Sequence, residues 1–419
     1  MKPHRRVFVV GGGHTTFLGR GRPEFIHRKH PEYGKKTNPG LEAHMRGAVD
    51  ALLSSVSVDL AEVDRAVVSN FLGEVFCSQG HLGSMLARVE PALEGRPIER
   101  IEAACASGAA SIARCVDGMQ AADDVALVVG VEMETNVPGT QGVEYMAYAA
   151  HYRDERKHDF ALFPWMFARR AKAYGERFGC TREDIAHVPV KAYANANRNP
   201  QALKHHTQIS LEDAVTDGRH NRVFLEDEAL RPWIRLLDCT ALTDGASAVL
   251  LATEAGLERL GISQDECTEI LGYGHCTRAL GRGSDFESMP NMRAAAERAY
   301  ADAGLGPDEV DLAEVHDCFA VAELQAIEAL GLAKAGDAWK ITAAGETAIE
   351  GRRPINPSGG LIGFGHPIGA TGVKQVVEVW RQLTGRAAGH QVPGDPRVGV
   401  TANLGGDDRT GIVMVHART

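Results

Sequence analysis

The chain has 419 residues, of which 44% are hydrophobic and 24% are charged. This length suggests about two to four domains, and the composition is that of an ordinary folded protein, which excludes the disordered, collagen-like and coiled-coil classes. The formal net charge of −10 argues against nucleic acid as the main partner.

No apolar run approaches the ~20 residues needed to cross a bilayer. The apolar stretch near the N-terminus is too short for the hydrophobic region of a signal peptide, and the C-terminal residues match no targeting signal. The eight cysteines form no CxxC pair and have no regular spacing, so no disulfide framework is indicated. We therefore expect a reduced, cytoplasmic protein without a membrane partner.

Short runs of Val, Ile and Leu alternate along the chain with Ala-rich stretches of helical character. Near-continuous apolar runs of this length are typical of strands that are covered on both faces of a sheet. The alternation therefore predicts an α/β fold. The predicted strands, in chain order, are VFVV (7–10), DRAVVS (64–69), VALVVGVE (125–132), DLAEVH (311–316) and VGVTAN (398–403).

Two blocks of sequence recur in the same order. AEVDRAVVSN (61–70) aligns with DEVDLAEVHD (308–317), and CASGAASI (105–112) aligns with HPIGATGV (366–373). Two aligned blocks predict an internal duplication of one βα-rich unit.

The duplication divides the chain into two halves with an insertion between them. Duplicated halves usually pack about a pseudo-twofold axis, which would bring the aligned Cys105 and His366 toward one another. The predicted segments are 1–135 for the N-terminal half, completed by 236–267, then 136–235 for the inserted domain and 268–419 for the C-terminal half.

The insertion contains a locally basic stretch in an acidic protein. Residues 151–235 hold 15 Lys and Arg against 12 Asp and Glu. Such a stretch is either a binding surface for an anionic small molecule or a solvated surface with ordinary salt bridges.

Cys105 lies where the approach ERIEAAC runs into the small-residue stretch ASGAASI. A cysteine at a helix N-terminus faces the positive end of the helix dipole, which lowers the thiol pKa from ~8.5 and favours the nucleophilic thiolate. Cys105 is therefore a candidate nucleophile, although a lone cysteine is more often a packing residue. We expect packing roles for Cys77, Cys115, Cys180, Cys239, Cys267 and Cys276.

His366 lies in the glycine-rich stretch NPSGGLIGFGHPIGATG, which indicates backbone held close to a ligand or to another loop. Its reference pKa of ~6.5 suits a base that takes a proton from a thiol, whereas the alternative is a structural histidine. The glycines of TANLGGDDRTG (401–411) follow the last predicted strand and either aim a backbone N–H at a bound carbonyl or form a turn.

His316 and Cys318 end a predicted strand, in EVHDCFA. The C-terminal ends of strands are where α/β proteins bind ligands. Because three adjacent residues rarely chelate one ion, we expect no metal at His316, Asp317 and Cys318. A histidine that donates to an oxyanion and a thiol that shuttles a proton are the favoured roles.

Together these motifs resemble the thiolase superfamily over essentially the whole chain. CASGA is similar to the family's nucleophile loop, LTDGASAV (242–249) to its DGA segment and GHPIGATG (365–372) to its histidine block. EVHDCF (314–319) is similar to the HDCF motif of the sterol-carrier-protein-2 type thiolases and related acetyl-CoA acetyltransferases, whereas other thiolases have NEAF there. One position departs from those other thiolases: Asn403 stands where they have a second catalytic cysteine in a CxG motif.

The resemblance implies an acyl-CoA C-acyltransferase that cleaves 3-oxoacyl-CoA with CoA, or condenses acetyl-CoA with acyl-CoA, through an acyl-cysteine. It assigns the roles of nucleophile, thiol base and acid/base thiol to Cys105, His366 and Cys318. His316, with His366, would stabilise the enolate. The backbone N–H groups of Cys105 and Gly405 would stabilise the acyl-enzyme oxyanion.

The resemblance also implies a thiolase fold, with two halves in αβαβα layers and an inserted loop domain that binds coenzyme A as co-substrate. No cofactor would be bound permanently. Gly272, Tyr273 and Gly274 would lie beside the pantetheine. The family implies a homodimer or tetramer, and some relatives act with a small OB-fold partner protein.

Two alternatives stay open. Another Claisen-condensing acyltransferase of this fold would use two histidines, or a histidine and an asparagine, without an acid/base cysteine. A partner-dependent, non-catalytic subunit is expected to have lost at least one catalytic residue. The presence of Cys318 beside His316, together with Cys105 and His366, favours a thiolase.

Overall fold

The computed structural model describes residues 4–283 and 285–419, so residues 1–3 of the predicted N-terminal half lie outside the described part. All five predicted strands are confirmed, as β1, β2, β4, β7 and β8 of the nine observed within these ranges. The strands are β1 (Val7–His14), β2 (Arg65–Ser69), β3 (Ile98–Ile101), β4 (Val125–Met133), β5 (Asp244–Thr253), β6 (Thr268–Thr277), β7 (Leu312–Val315), β8 (Val398–Gly405) and β9 (Thr410–Arg418).

Fifteen α-helices connect or cover these strands in the described ranges, and none of them has the length and apolar character needed to cross a bilayer. They are α1 (Leu41–Ser55), α2 (Gly73–Phe76), α3 (Leu82–Val89), α4 (Ser107–Ala121), α5 (Gly139–Met146), α6 (Tyr152–Glu155), α7 (Leu162–Phe178), α8 (Arg182–Asn197), α9 (Leu211–Val215), α10 (Glu254–Leu260), α11 (Pro290–Ala303), α12 (Ala320–Ala329), α13 (Ala338–Ala343), α14 (Gly360–Phe364) and α15 (Ile368–Leu383).

The strands form one mixed sheet in the order β3-β2-β4-β5-β1-β6-β9-β8-β7. β1 and β6 pair at Phe8–Glu269 and Val9–Thr268, and this short seam joins a half-sheet of five strands to one of four. In each half the inner pairs are antiparallel and the outer pairs are parallel. The halves therefore correspond strand by strand, β1, β2, β4 and β5 matching β6, β7, β8 and β9.

The recurring sequence blocks fall at equivalent places in the two halves. The first block covers the 3-10 turn Leu60–Glu62 and β2, and its copy covers the 3-10 turn Pro307–Glu309 and β7. Ala313 also pairs in parallel with Ile355, at the edge where β3 lies in the other half. The predicted duplication is confirmed by this topology.

Helices α4 and α15 lie between the two half-sheets and form the middle layer. One apolar cluster contains Ile112 of α4, Val377 and Trp380 of α15, Val128 of β4 and Met414 of β9. Helices α1 and α3 cover the outer face of the first half-sheet, and α11 and α12 cover that of the second. The predicted αβαβα layering is confirmed.

The middle helices touch backbone to backbone. A Cβ added at Gly108 of α4 would lie 2.7 Å from the backbone nitrogen of Gly372 on α15, and one added at Gly372 would lie 2.3 Å from that of Ala109. Side chains at these positions would push the helices apart. Because Cys105 and His366 each lie two residues before one of these helices, the contact brings them together.

The described segment between β4 and β5 is helical, from α5 to α9. It packs on the C-terminal half, where the Phe167 ring of α7 stacks on the Phe319 ring beside α12 with centroids 4.4 Å apart. The insertion therefore covers the end of β7, where the HDCF motif lies.

Candidate active site

The nucleophile loop joins β3 to α4 through a strained turn. Ala104 has a φ of 50°, in the left-handed region that non-glycine residues rarely adopt. The Ser107 hydroxyl holds the turn, because it accepts from the Ala103 N–H at 2.9 Å and donates to the Ala104 carbonyl at 2.6 Å. Strain of this kind is found where a reactive side chain must be held in place. The turn presents Cys105 at the N-terminus of α4.

The backbone N–H of Gly406 acts on Cys105 and lowers the pKa of its thiol, against the larger effect of burial. Gly405, the predicted donor to the acyl-enzyme oxyanion, is the neighbouring residue, and its role stays a prediction. β8 ends at Gly405, and the chain then turns at Gly406 with a φ of 64°. The lack of a side chain at Gly405 allows close packing on the nucleophile loop, since a Cβ there would lie 2.6 Å from the Ala103 carbonyl oxygen.

His366 is held in one tautomer. Its Nδ1 lies 2.6 Å from the Thr371 hydroxyl, and that hydroxyl donates to the Pro367 carbonyl at 3.0 Å. Nδ1 of His366 therefore donates the proton of this contact, and Nε2 is left as a bare lone pair. Nε2 is buried and makes no hydrogen bond within the described structure. A neutral imidazole with a free Nε2 is suited to act as a base toward a thiol.

Two buried carboxyls, Glu132 in β4 and Glu134 just after it, hold the loop that carries His366, and sequence reasoning missed both. Glu134 accepts from the Ile368 N–H at 3.0 Å, and Glu132 accepts from the Gly369 N–H at 3.1 Å, both at the start of α15. Burial raises the pKa of Glu132 to about 7 and the pKa of Glu134 well above its usual range. The signal in the sequence is a pair of glutamates, two residues apart, at the end of an apolar strand.

The DGA segment positions the same loop. The Thr243 hydroxyl accepts from the backbone N–H of His366 at 2.8 Å, and the Thr243 N–H donates to Glu134 at 2.9 Å. Asp244 accepts from the backbone N–H groups of Glu134 and Thr135, each at 2.8 Å. These contacts fix the position of His366 relative to β4.

His316 follows β7 and carries the opposite tautomer. The side-chain amide of Asn403 donates to its Nδ1 at 3.2 Å, so the imidazole proton is on Nε2. This Nε2 is also buried and makes no hydrogen bond within the described structure. The rings of His316 and His366 meet edge to face with centroids 5.0 Å apart.

The Cys105 sulfur and one ring nitrogen from each of His316 and His366 all lie within 4.8 Å of one another. Both Nδ1 atoms are engaged by Thr371 and Asn403, so the Nε2 atoms are the ones available to the site. The structure therefore brings together residues that the sequence separates by more than 200 positions.

Cys318 lies next to this cluster, in the same pocket. Burial raises the pKa of its thiol well above the usual range, and the nearby Cys105 acts in the same direction. Asp317 faces away from the cluster and accepts from the Leu361 and Ile362 N–H groups, so it holds the glycine-rich loop at α14.

The pocket in front of Cys105 has a volume of about 150 Å³ and is mainly apolar. Cys239 also lines it, which the expected packing role did not anticipate; its thiol donates to the Arg235 carbonyl at 3.3 Å. The lining residues are Phe71, Cys105, Glu134, Val143, Met146, Ala149, Phe163, Pro164, Phe167, Cys239, Thr240, Ala241, Leu242, Cys318, Phe319, His366, Ile368 and Gly406.

The sequence-based expectation of a lowered thiol pKa at Cys105 is wrong. Burial raises the pKa of the Cys105 thiol to about 12, with Glu134 acting in the same direction and the Gly406 N–H opposing it. Burial also lowers the pKa of His366 to about 3. Removal from water outweighs the helix dipole because the pocket is apolar. At neutral pH Cys105 is therefore a thiol and His366 a neutral imidazole. The thiol proton moves to His366 only when the sulfur attacks.

We expect the rate of Cys105 alkylation by iodoacetamide to rise about tenfold per pH unit across the range from roughly pH 7 to 10, without levelling off. With a thiol pKa of about 12, the thiolate fraction keeps growing over this whole range. Quantifying the alkylated peptide by mass spectrometry measures the rate at Cys105 alone. A plateau that begins below pH 7 would instead indicate a thiolate–imidazolium pair.

Gly272, Tyr273 and Gly274 do not line the pocket in front of Cys105, and their place beside the pantetheine stays a prediction. A Cβ at Gly274 would lie 1.9 Å from the Ala295 carbonyl oxygen, so the glycines of β6 allow α11 to pack closely against the strand. The Tyr273 phenol donates to Asp117 on α4.

A cysteine at a helix N-terminus, a histidine base from the duplicated helix and a second buried thiol define an enzyme that transfers acyl groups through a thioester. Residues 40–255 match the family described as "Thiolase, N-terminal domain", and residues 272–418 match "Thiolase C-terminal domain-like". The chain belongs to the thiolase family, as its motifs predicted.

Curated relatives agree with this assignment. The acetyl-CoA acetyltransferase of Methanothermobacter thermautotrophicus is 33% identical over 367 residues, which cover 87% of this chain and 91% of the relative. Human sterol carrier protein 2 is 30% identical over 418 residues, 96% of this chain and 70% of the relative. Benzoylsuccinyl-CoA thiolase subunit BbsB of Thauera aromatica is 32% identical over 317 residues, 75% of this chain and 77% of the relative.

Among solved structures, one titled "Ltp2-ChsH2(DUF35) aldolase" has the same fold. It superposes with a TM-score of 0.76 at 21% identity and covers 100% of this chain and 99% of that one. The structure of human mitochondrial 3-ketoacyl-CoA thiolase superposes with a TM-score of 0.68 at 19% identity and covers 99% of each chain, so the predicted thiolase fold is confirmed. The chain is an acyltransferase of the thiolase type.

Proposed function

We propose that the chain cleaves 3-oxoacyl-CoA with CoA and, in the reverse direction, condenses acetyl-CoA with an acyl-CoA. The observation that carries the proposal is the cluster of the Cys105 sulfur with ring nitrogens of His316 and His366 within 4.8 Å, in a pocket that Cys318 also lines. Two histidines with opposite tautomers supply one base and one donor, which is what this chemistry requires.

The first half-reaction acylates Cys105. Nε2 of His366 takes the thiol proton while the sulfur attacks the 3-oxo carbon, and the developing oxyanion accepts from the backbone N–H groups of Cys105 and Gly405. The bond between the α-carbon and the 3-oxo carbon then breaks, and its electron pair forms the enolate of acetyl-CoA. The Nε2–H of the neutral His316 imidazole donates a hydrogen bond to the enolate oxygen. The Cys318 thiol gives its proton to the α-carbon. Loss of one such donor typically costs ~10²–10³ in rate.

The second half-reaction returns the enzyme to its starting state. The Cys318 thiolate takes the proton of the CoA thiol, and the CoA sulfur attacks the acyl carbon. The Cys105 sulfur leaves and takes back the proton held by His366. All three groups are then neutral again, which suits an apolar pocket where separated charges are costly.

The insertion would form the wall that receives the acyl group. Val143, Met146, Phe163 and Phe167 of α5 and α7 line the pocket with apolar side chains. An acyl chain is the chemical group that such a wall favours.

The CoA phosphates would bind to basic residues of the segment 151–235. Some of these basic residues are already engaged within the fold. Arg170 and Lys191 are buried in ion pairs with Asp407 and Glu323. The other Arg and Lys of the segment are the candidates for the phosphates and the adenine.

The test is thiolysis of acetoacetyl-CoA and of a longer 3-oxoacyl-CoA with free CoA, followed through loss of the magnesium-enolate absorbance. We expect loss with at least one substrate, and none with Cys105→Ala. The ratio of the two rates would define the acyl length. If folded protein gives no thiolysis but condenses acyl-CoA, the alternative of a condensing acyltransferase replaces the proposal.

A partner-dependent enzyme is the second candidate. One relative is named as a thiolase subunit, and the structural neighbour is named as the pair Ltp2-ChsH2(DUF35). A small OB-fold partner is the kind implied by the motifs. The assay should therefore be repeated on material purified under mild conditions, where activity only in a stoichiometric complex would support this candidate.

We also infer a homodimer or tetramer in a reducing, cytoplasmic compartment. All eight cysteines are free thiols, which supports the compartment. Light scattering on the purified chain measures the oligomeric state.

A further inference from the structure

A chain of buried amides ends on His316. The side-chain N–H₂ of Gln375, on α15, donates to the backbone carbonyls of Glu314 and Ala402, each at 3.3 Å. Its Oε1 therefore faces the other way and accepts from the Asn403 amide at 2.7 Å. The same Asn403 nitrogen donates its second proton to Nδ1 of His316 at 3.2 Å.

Only one orientation of these two amides matches every contact between them with a donor and an acceptor, and in it the Asn403 Oδ1 is buried without a hydrogen-bond partner within the described structure. If Asn403 were reversed, its oxygen would face the Gln375 oxygen, and two acceptors would lie in contact in a buried site. If Gln375 were reversed as well, its oxygen would face two backbone carbonyls. Unmatched polar groups of this kind are costly in the interior. Backbone carbonyls of β7 and β8 thus determine which ring nitrogen of His316 carries the proton.

We propose that Asn403 and Gln375 are positioning residues that fix His316 as a neutral imidazole with its proton on Nε2. Asn403 stands where other thiolases have a catalytic cysteine, and in this chain it acts through His316. The expected effect on catalysis rests on the proposed function. The assignment of the His316 tautomer does not depend on that function.

The fixed tautomer has two consequences. His316 presents a permanent donor toward the Cys105 cluster, while His366 presents a bare nitrogen. A nitrogen that carries a proton is also unable to ligate a metal ion. Cys105, His316 and His366 are close enough to hold a soft cation such as Zn²⁺, but His316 would first have to move its proton to Nδ1, where it would face the Asn403 donor. Asn403 therefore opposes metal binding at the nucleophile.

The test compares Asn403→Asp and Asn403→Leu with the wild type. A carboxylate at 403 would accept from Nδ1–H of His316 and leave Nε2 bare, as in the carboxylate–histidine–zinc arrangement. Leucine has a similar shape and no hydrogen-bond donor. His316 can then carry its proton on either ring nitrogen, and no charge is added. The probe is Zn²⁺ alone, measured by protection of Cys105 against alkylation.

We expect half-protection at a Zn²⁺ concentration about 10–100-fold lower in Asn403→Asp than in the wild type. In Asn403→Leu we expect the Zn²⁺ concentration for half-protection to be about fivefold lower than in the wild type, because about fivefold in affinity corresponds to the free energy of one neutral hydrogen bond. If both variants are protected at the wild-type Zn²⁺ concentration, the proposal is overturned. If Zn²⁺ protects Asn403→Asp at a lower concentration but protects Asn403→Leu only at the wild-type concentration, the effect is one of charge, and the proposal is also overturned.

Thiolysis gives the second readout. Asn403→Asp should lower kcat by ~10²–10³ with KM little changed, because the lost donor acts on the enolate and not on bound substrate. The matched control is Asn199→Leu, which removes another buried asparagine that contacts a histidine, His390, at 3.4 Å and outside the pocket. It should change neither readout. If the wild type shows no thiolysis, the proposed function fails, and the Zn²⁺ measurement still decides the tautomer.

Discussion

Cys105→Ala is expected to abolish turnover, with a loss on the order of 10⁴–10⁶ in kcat, as for other covalent nucleophiles. Cys105 is the sulfur that the Gly406 N–H contacts and that lies in the cluster with His316 and His366. The variant removes one atom from a pocket that stays otherwise intact, so the fold should be unaffected. Intact mass after a quenched reaction with acetoacetyl-CoA measures the acyl-enzyme directly, and no acylated species should form.

The pocket contains a matched control for this variant. Cys239 lines the same pocket, but its thiol is engaged by the Arg235 carbonyl, and Cys239→Ala should still form the acyl-enzyme. An acyl group that is found on Cys318 or Cys239 in the Cys105→Ala variant would show that the nucleophile has been misassigned.

The halves of the fold were predictable because the duplication repeats sequence as well as structure. The strands β1 and β4 are buried along their whole length, and VFVV and VALVV within them are continuous apolar runs. β3 and β6 have no such run, since β3 has only four half-buried residues and β6 alternates buried and exposed ones with glycines between them. β5 and β9 are almost entirely buried, and their small and polar residues hide the apolar pattern.

The four main site residues were predictable because motifs at the ends of strands and helices meet where the halves pack. The position of the Gly406 N–H near the Cys105 sulfur was missed because a sequence does not show at which residue a strand ends and a turn begins. The raised pKa of Cys105 was missed for a different reason. A helix dipole is a local property, but removal from water depends on Phe163, Phe167 and other residues distant in sequence.

Asn403 shows how far the sequence argument reaches. The sequence shows that Asn403 stands where other thiolases have a catalytic cysteine. The resemblance to the HDCF-type thiolases therefore assigns the acid/base role to Cys318. That Asn403 contacts His316 and Gln375 depends on how β7, β8 and α15 pack, which no local pattern specifies.

Cys318→Ala is expected to reduce exchange of the α-protons of acetyl-CoA with solvent by ~10²–10⁴, the usual contribution of a positioned general base. The thiol is buried, and its raised pKa makes its conjugate base stronger, which suits a weakly acidic carbon. Exchange is measured by mass spectrometry of acetyl-CoA recovered from D₂O.

Acylation of Cys105 should survive in the same variant, because the nucleophile, His366 and the Gly406 N–H are all retained. Cys318→Ala and Cys105→Ala should therefore fail at different steps: the first forms acyl-enzyme and does not exchange protons, whereas the second forms no acyl-enzyme at all. Normal exchange in Cys318→Ala would end the assignment and transfer the role to another group on the pocket wall. The buried Glu134 carboxyl, whose pKa is raised well above its usual range, would then be the next residue to replace, as Glu134→Gln.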